Sequence, residues 1–337
     1  MTARGAVART PDAVTEKPVV CAGLVVSDLF VPPLDSLPAS GELVIIDAPL
    51  NDVGGCAANT ASSLEHLGIP TILAAHVGDD SHGDLVREKL RRKGVDVTRV
   101  TSSPLPTSQT VILPVRGDDR RYIHAVGANA SLTAEEVARV ARDSSIVVVG
   151  GFLALPGLSA TSLAETFAKA QASGTCTILD VVIPHGHPDA KSDLKIVLPH
   201  VDWFFPNGDE ALHLTGETDP VRQADALLGW GCRNVVITRG SDGALYSDGY
   251  MTITVEPCEI LAVDPSGAGD AFVAGMVVGI RENWAVEQTL RFAAALGASA
   301  TRGLGCTNTL FTREEAILVA ESIATITTPA RAGRKDS

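Results

Sequence analysis

The sequence is short of positive charge: 27 Lys and Arg stand against 40 Asp and Glu, a formal net charge of −13 over 337 residues. Nucleic acids and anionic membranes are held by clustered Lys and Arg, so neither is an expected partner. An anionic small molecule, held by locally focused basic groups, stays open. Long apolar runs are missing too, and none approaches the roughly 18–20 residues of a membrane helix. Cysteines number six, Cys21, Cys56, Cys176, Cys232, Cys258 and Cys306, with no C-x-x-C pair among them. That spacing argues against a zinc site or a disulfide framework and for reduced thiols in a cytoplasmic protein. Residues 1–17 lack the apolar stretch of a signal peptide and read as a loose leader. Residues 330–337 read as a loose tail, which leaves one domain over 18–329. No repeat of 20–50 residues occurs.

What is present is alternation. Short β-branched runs, Val19–Val26, Thr71–Val77, Ile146–Val149, Thr175–Leu179, Trp203–Phe205 and Asn234–Thr238, carry few charges and little period-two pattern. Strands buried on both faces of a sheet look like this. Helical patterns fall between them. Ala57, Ala61, Leu64 and Leu67 recur at helical spacing before Gly68 and Pro70, and Asp84–Lys93 and Ala160–Ala172 give two more. Thr133 and Glu136 make a capping-box pattern. The expected fold is α/β, a mostly parallel sheet with helices on both sides. Two stretches break the pattern, Val31–Val53 and Thr107–Val126, the second with the polar turn Arg116-Gly117-Asp118-Asp119. They could pair into a small sheet that covers a pocket as a lid, or be two surface hairpins without function.

Chemistry concentrates in Asp264-Pro265-Ser266-Gly267-Ala268-Gly269-Asp270-Ala271-Phe272. The apolar run Ile260–Val263 precedes it and a helical pattern of Ala271, Ala274 and Val278 follows. A glycine-rich turn that opens a helix offers backbone N–H groups and a positive dipole end to a phosphate. An Asp in that first turn also suits any helix N-terminus. Further upstream, Gly54-Gly55-Cys56-Ala57-Ala58-Asn59-Thr60-Ala61 opens another helix with a glycine pair and an amide that both donates and accepts.

Together, in this order, the two strings resemble the signatures of the ribokinase-like (PfkB) carbohydrate kinases, D-T-x-G-A-G-D-x-F and G-G-x-x-x-N-x-A. Pro265 stands where Thr is usual. Matches extend over roughly residues 18–325. The resemblance implies a three-layer α/β/α fold with a small β-sheet lid, often paired between the subunits of a homodimer. It implies ATP and Mg²⁺ as cofactors, and Asp270 as the base that deprotonates the acceptor hydroxyl, with Gly267, Ala268 and Gly269 forming an anion hole. By the same resemblance Asp28, Gly54, Gly55, Asn59 and Asn129, the last in Gly127-Ala128-Asn129, bind the acceptor. Asn207, Thr238, Gly240 and Gly243 belong to the nucleotide site, and Glu210, closing an N-x-x-E pattern with Asn207, organises magnesium through water. Asp264, Ser266, Ala300, Gly303, Gly305 and Thr309 lie where relatives hold a monovalent cation such as K⁺.

The implied reaction is phosphoryl transfer from ATP to a primary hydroxyl of a sugar or sugar-like alcohol. Nucleosides, sugar acids and sugar phosphates remain alternative acceptors, and a non-catalytic ligand-binding protein on this fold is the rival class. Cys56 replaces a Lys frequent in ribokinases and 1-phosphofructokinases, and Gly150-Gly151-Phe152 lacks the Glu that ribokinases place after the central strand. Both departures argue against ribose itself. Arg116, Arg120 and Arg121 could serve an acidic acceptor or be solvated. His124 is either a pocket residue or a strand His. His185-Gly186-His187 has metal-like spacing without a third ligand. Asp180 ends a strand on the edge where α/β proteins bind ligands, with its role open.

Overall fold

The computed structural model describes residues 17–117 and 120–329. The leader before Lys17, the tail from Ala330, and Asp118 and Asp119 of the polar turn lie outside the described residues.

In chain order the strands are β1 (Val19–Gly23), β2 (Val26–Phe30), β3 (Leu50–Gly54), β4 (Thr71–Gly78), β5 (Asp96–Ser103), β6 (Gln109–Leu113), β7 (Arg121–Ala125), β8 (Ile146–Gly150), β9 (Cys176–Asp180), β10 (Trp203–Phe205), β11 (Asn234–Thr238), β12 (Ala244–Ser247), β13 (Met251–Val255) and β14 (Thr325–Pro329). The helices are α1 (Cys56–His66), α2 (Ser81–Arg92), α3 (Ala134–Ala141), α4 (Ala160–Ala172), α5 (Ala190–Val197), α6 (Gly208–Thr215), α7 (Pro220–Leu228), α8 (Ala268–Arg281), α9 (Val286–Ala300) and α10 (Arg313–Ala320).

The large sheet runs β14-β13-β12-β11-β10-β9-β8-β1-β4-β5. It is parallel from β5 to β11 and antiparallel from β11 to β14. Alternate residues of each central strand enter different cores. Val19, Cys21, Ile146 and Val148 pack with α1, α8 and α9, whereas Val20, Ala22, Val147 and Val149 pack with α3 to α7. Both faces are therefore apolar, which is why the strands carry no period-two signal. The Thr133–Glu136 capping box forms at the start of α3.

A second sheet, β3-β2-β6-β7, stands apart from the first. The run Val19–Val26 is not one strand, as expected from its composition, but two. At Gly23 φ is +136°, and a Cβ there would lie 2.1 Å from the Gly150 carbonyl oxygen, so the chain swings away and Val26 begins the small sheet. Of Val31–Val53 only the end is a strand. Residues 31–49 run irregularly, joined to the rest by a bridge between Leu34 and Val115, with Leu43 and Ile45 about nine-tenths exposed. The apolar run Ile260–Val263 forms no strand; it is a loop with Ile260 half-buried and Leu261 and Val263 exposed. The edge of β13 is filled by β14.

Candidate active site

The C-terminal ends of β1, β8 and β9 meet the N-termini of α1 and α8, and two glycine turns allow this approach. Gly55, which precedes α1, has φ +94°, and a Cβ there would sit 2.5 Å from the Leu24 carbonyl oxygen. Gly267, which precedes α8, has φ +78°, with the Cys306 carbonyl oxygen 2.4 Å from any Cβ. At Gly54 the space of a side chain is taken by the Asp28 carboxyl, 1.7 Å from where a Cβ would be. Glycine is needed at all three positions for backbone or carboxylate to come this close.

Asp270 lies in the first turn of α8, and Asn59, on α1, donates its side-chain amide to Asp270 Oδ2 at 2.8 Å. Thr60 Oγ1 donates to the Asp270 carbonyl at 3.4 Å. Burial raises the Asp270 carboxyl to about 6, against hydrogen bonds from Asn59 and Cys56 that lower it. Asp180, at the end of β9, completes the cluster. Its Oδ2 accepts from Gly151 N–H at 3.2 Å. Burial, then the charges of Asp270 and Glu210, push it well above the usual carboxylate range. Candidate ligand atoms of Cys56, Asp180 and Asp270 all lie within 4.8 Å of one another. Cys56 and Asp180 are thus part of the site, though the sequence marked one as a departure and left the other open. Their meeting depends on two distant segments ending at one sheet edge, which no local pattern signals. The helix N-terminus holds Gly267, Ala268 and Gly269 as expected, but the Ala268 amide is turned to the Pro265 carbonyl at 3.3 Å. The next amides, of Gly269 and Asp270, belong to the helix's first turn and have no intrahelical carbonyl to take them.

Asp28 is in β2 and buried on the small sheet. Burial raises its carboxyl to about 8, a hydrogen bond from Thr110 lowers it, and Asp52, Asp270 and Asp264 raise it further. Thr110 Oγ1 lies 3.0 Å from His124 Nδ1. Asn129 is wholly buried. Its Oδ1 accepts from Val25 N–H at 3.2 Å, its N–H donates to Ser108 Oγ at 3.0 Å, and its Nδ2 has no partner. It braces the turn by which the chain leaves β1.

On the far side of the edge, a cleft of about 460 Å³ is lined by Asn207, Asp209, Thr238, Gly240, Ser241 and Asp242, among others. Asn207 and Glu210 cap α6 reciprocally, each side chain 2.8 Å from the other's backbone N–H. Burial raises Glu210 to about 7, helped by Asp209 and Asp270. Gly240 and Gly243 have φ of +55° and +77°, and a Cβ on Gly243 would meet the Val255 carbonyl oxygen at 2.0 Å.

Beside Gly267 lie Asp264 and Ser266 of the loop before α8, Ala300 at the end of α9, and Gly303, Gly305 and Thr309 of the loop that follows it. Asp264 Oδ1 accepts from Ser266 N–H at 3.0 Å and Oγ–H at 2.7 Å, and its Oδ2 is buried with no partner. Thr309 Oγ1 donates to the carbonyls of Ser299 and Ala300, and the Thr301 carbonyl takes the N–H groups of Val263 and Asp264.

Other sequence candidates fall elsewhere. His185 and His187 sit on the loop after β9 and share no metal-like cluster among the described residues. Arg116 pairs with Asp35 at 2.8 Å on the surface. All six cysteines are free, and no described helix is long and apolar enough to cross a membrane.

With this geometry in view, residues 16–313 match the sequence profile of the pfkB family carbohydrate kinases, and the chain belongs to that family. It is 32% identical over 291 residues to a ribokinase of Arabidopsis thaliana, covering 82% of this chain and 74% of that protein. It is 29% identical over 279 residues to a 2-dehydro-3-deoxygluconokinase of Bacillus subtilis, 78% of this chain and 85% of that one. The solved structure of Arabidopsis ribokinase complexed with ribose and ATP superposes with a TM-score of 0.77 at 26% identity, over 90% of this chain and 99% of that one. The protein has the ribokinase fold and is a phosphotransferase with an alcohol group as acceptor.

Proposed function

We propose that the protein transfers the γ-phosphoryl group of ATP to a primary hydroxyl of a sugar-like alcohol, with Asp270 as general base. The observation that carries this reading is the Asn59–Asp270 contact at the mouth of the α8 N-terminus. It joins a carboxylate poised near neutrality to a phosphate-binding helix end. Asp270 takes the hydroxyl proton as the oxygen attacks the γ-phosphorus, and the bond to ADP breaks. A base with its carboxyl near 6 is ionised at neutral pH and still strong enough to accept a proton. The amides of Gly269 and Asp270, with the helix dipole, face the charge of the transferring group. Positioning and electrostatics of this kind supply most phosphoryl-transfer catalysis.

Nucleotide would occupy the cleft between Asn207 and Gly240, shaped by Thr238 and Gly243. Asp180, Glu210 and Asp270 repel one another, a strain that a divalent cation would relieve. Glu210, braced by Asn207, would hold the water shell of Mg²⁺, which when bound neutralises phosphate charge. The orphaned Asp264 Oδ2 and the surrounding carbonyls suit K⁺. The small sheet, as a lid of a single kinase domain over 18–329, would cover the acceptor. Its far face carries Leu29, Val111 and Ile123, the last 63% exposed, and would pair with a second copy in a homodimer.

The test is a coupled ADP-release screen over pentoses, hexoses, nucleosides, sugar acids and their phosphates. Acceptor-dependent turnover that vanishes in Asp270→Asn supports the reading. No ADP release above background with any acceptor rejects it and favours a non-catalytic ligand-binding protein on this fold.

A further inference from the structure

The small sheet is joined to the large one through one end. β2 begins there at Val26, β3 ends there at Gly54, β6 begins at Gln109 and β7 ends at Ala125. Val26 pairs with Gly54, Ser27 with Gln109, and Gln109 with Ala125, so these four termini stand side by side. At the other end Phe30 pairs with Leu50, and Leu113 with Arg121. Phe30 lies four residues beyond Val26, about 13 Å along an extended strand. A sheet attached at one end needs side-chain contacts further out to fix its tilt, and a site built on it needs that tilt held closely.

The loop between α9 and α10 makes such contacts. Asp52, Asp28, Thr110 and His124 stand opposite one another in that order, and directly opposed residues share a face of a sheet. Two residues along, Phe30 and Ile112 continue this face, and Cys306 of the loop is buried in one cluster with both. Asn308 donates its side-chain amide to Asp52 Oδ2 at 3.0 Å, and Lys89 Nζ, from α2, reaches Asp52 Oδ1 at 2.9 Å. Burial opposes the ionised form of Asp52, but Lys89, Asn308 and the Val53 N–H hold its carboxyl below the usual range. The same loop rests on the phosphoryl end. The Cys306 carbonyl oxygen is 2.4 Å from where a Cβ on Gly267 would be, at the start of α8. Thr309 Oγ1 donates to the Ser299 and Ala300 carbonyls at 2.9 and 3.1 Å, and Lys93 bonds to Thr307. Gly305 keeps the loop tight: its φ is +91°, and a Cβ there would meet Asn308 Nδ2 at 2.2 Å. Cys306 thus touches both parts, its side chain against the sheet and its carbonyl against the α8 turn.

We propose, building on the kinase reading, that residues 302–309 are a prop that sets the small sheet at a fixed height over Asp270, with Asp52 and Asn308 as its positioning residues. They act through the sheet, which under that reading carries the acceptor. With the Asp52–Asn308 bond broken, the sheet tilts about its attached end. The acceptor hydroxyl then drifts from the γ-phosphorus, and water reaches it instead. A displacement of about 1 Å at reacting atoms is enough to cost about 10²-fold in rate. The cleft between Asn207 and Gly240 lies at the ends of β10 and β11, away from the prop, so nucleotide binding is spared.

The test uses the full chain, MgATP and the best acceptor among D-ribose, D-fructose, D-gluconate and cytidine, with ADP and phosphorylated acceptor measured side by side. Asn308 is exposed, so its replacement spares the core. Asn308→Ala should lower kcat for phosphorylated acceptor about 10- to 100-fold, with the KM of ATP within about twofold of the parent's. It should also release ADP in excess of phosphorylated acceptor, a ratio that a loss of stability alone does not move. Asn308→Asp, which sets two carboxylates together, should act alike. Adding Asp52→Asn to it should restore most of the rate and the ratio, because the amide then donates from the sheet to the loop. A kcat and product ratio indifferent to Asn308→Ala, or an exchanged pair no better than Asn308→Asp alone, overturns the prop and leaves the kinase reading standing. No ADP release above background with any acceptor in the parent overturns both.

Discussion

Asn59 donates its side-chain amide to Asp270 Oδ2 at 2.8 Å across 211 residues of sequence. One contact thus locks the helix that opens with Gly54-Gly55 to the helix that opens with Gly267-Ala268-Gly269. The amide also tunes the acid, because a donor to the carboxylate stabilises its ionised form and holds its pKa down. Asn59→Ala is expected to move the acid limb of the kcat/KM profile above its starting point near pH 6. An unchanged limb would show that Asn59 has a packing role alone.

Asp270→Asn keeps the size of the side chain and removes the proton acceptor. Turnover is expected to fall by about 10²- to 10⁴-fold, with the melting temperature and nucleotide affinity preserved, since a negative charge near ATP is lost. If Asp270 were only a first-turn acid, the change would cost at most about 1 kcal/mol of stability and little rate. Retention of more than about a tenth of parental turnover, far above what loss of a base allows, would sink the assignment.

Asp28 makes an opposite prediction for stability and function. Its carboxyl is raised to about 8 when folded, against about 3.9 unfolded. Between those values the native state binds more protons than the unfolded one, so this group's contribution to stability is present below about pH 4 and is lost as pH rises through about 8. Asp28→Asn should therefore raise Tm more at pH 8 than at pH 5, while weakening acceptor binding. Melting curves at the two pH values, read with the acceptor KM, check both halves.

Glu210 caps α6 with Asn207, and the proposed function gives it a second job, at magnesium, that one substitution separates from the first. Gln can still bond back to the Asn207 N–H and keep the cap, but carries no charge for a hydrated cation. Glu210→Gln is expected to leave Tm nearly unchanged and to raise the magnesium concentration for half-maximal rate several-fold. A magnesium titration identical to the parent's would remove Glu210 from the metal shell.

The loops around Asp264 predict faster turnover in potassium than in sodium or tetramethylammonium at equal ionic strength. The buried, unpartnered Oδ2 of Asp264 is the atom a monovalent cation would satisfy. Equal rates in all three salts would dismiss the cation and leave the phosphoryl-transfer reading intact.

The sequence by itself determined the layered α/β fold, since strands such as Ile146–Val149 are apolar at every position and must be covered on both faces. It also determined the places of Asp270, Asn59, Asn207 and Glu210, because glycine turns and capping boxes are local events written in contiguous residues. It did not determine where the chain leaves the large sheet. Val26 is as β-branched as Val19, and only the close approach of Gly23 to the Gly150 carbonyl parts them. Nor did it bring Cys56 and Asp180 to Asp270, or line up Asp52, Asp28, Thr110 and His124. Those groupings arise from sheet order and strand register, in which residues far apart in the chain become neighbours through backbone pairing that favours no particular side chain. The sequence marked the chemistry of the phosphoryl end; the tertiary structure decided what surrounds it.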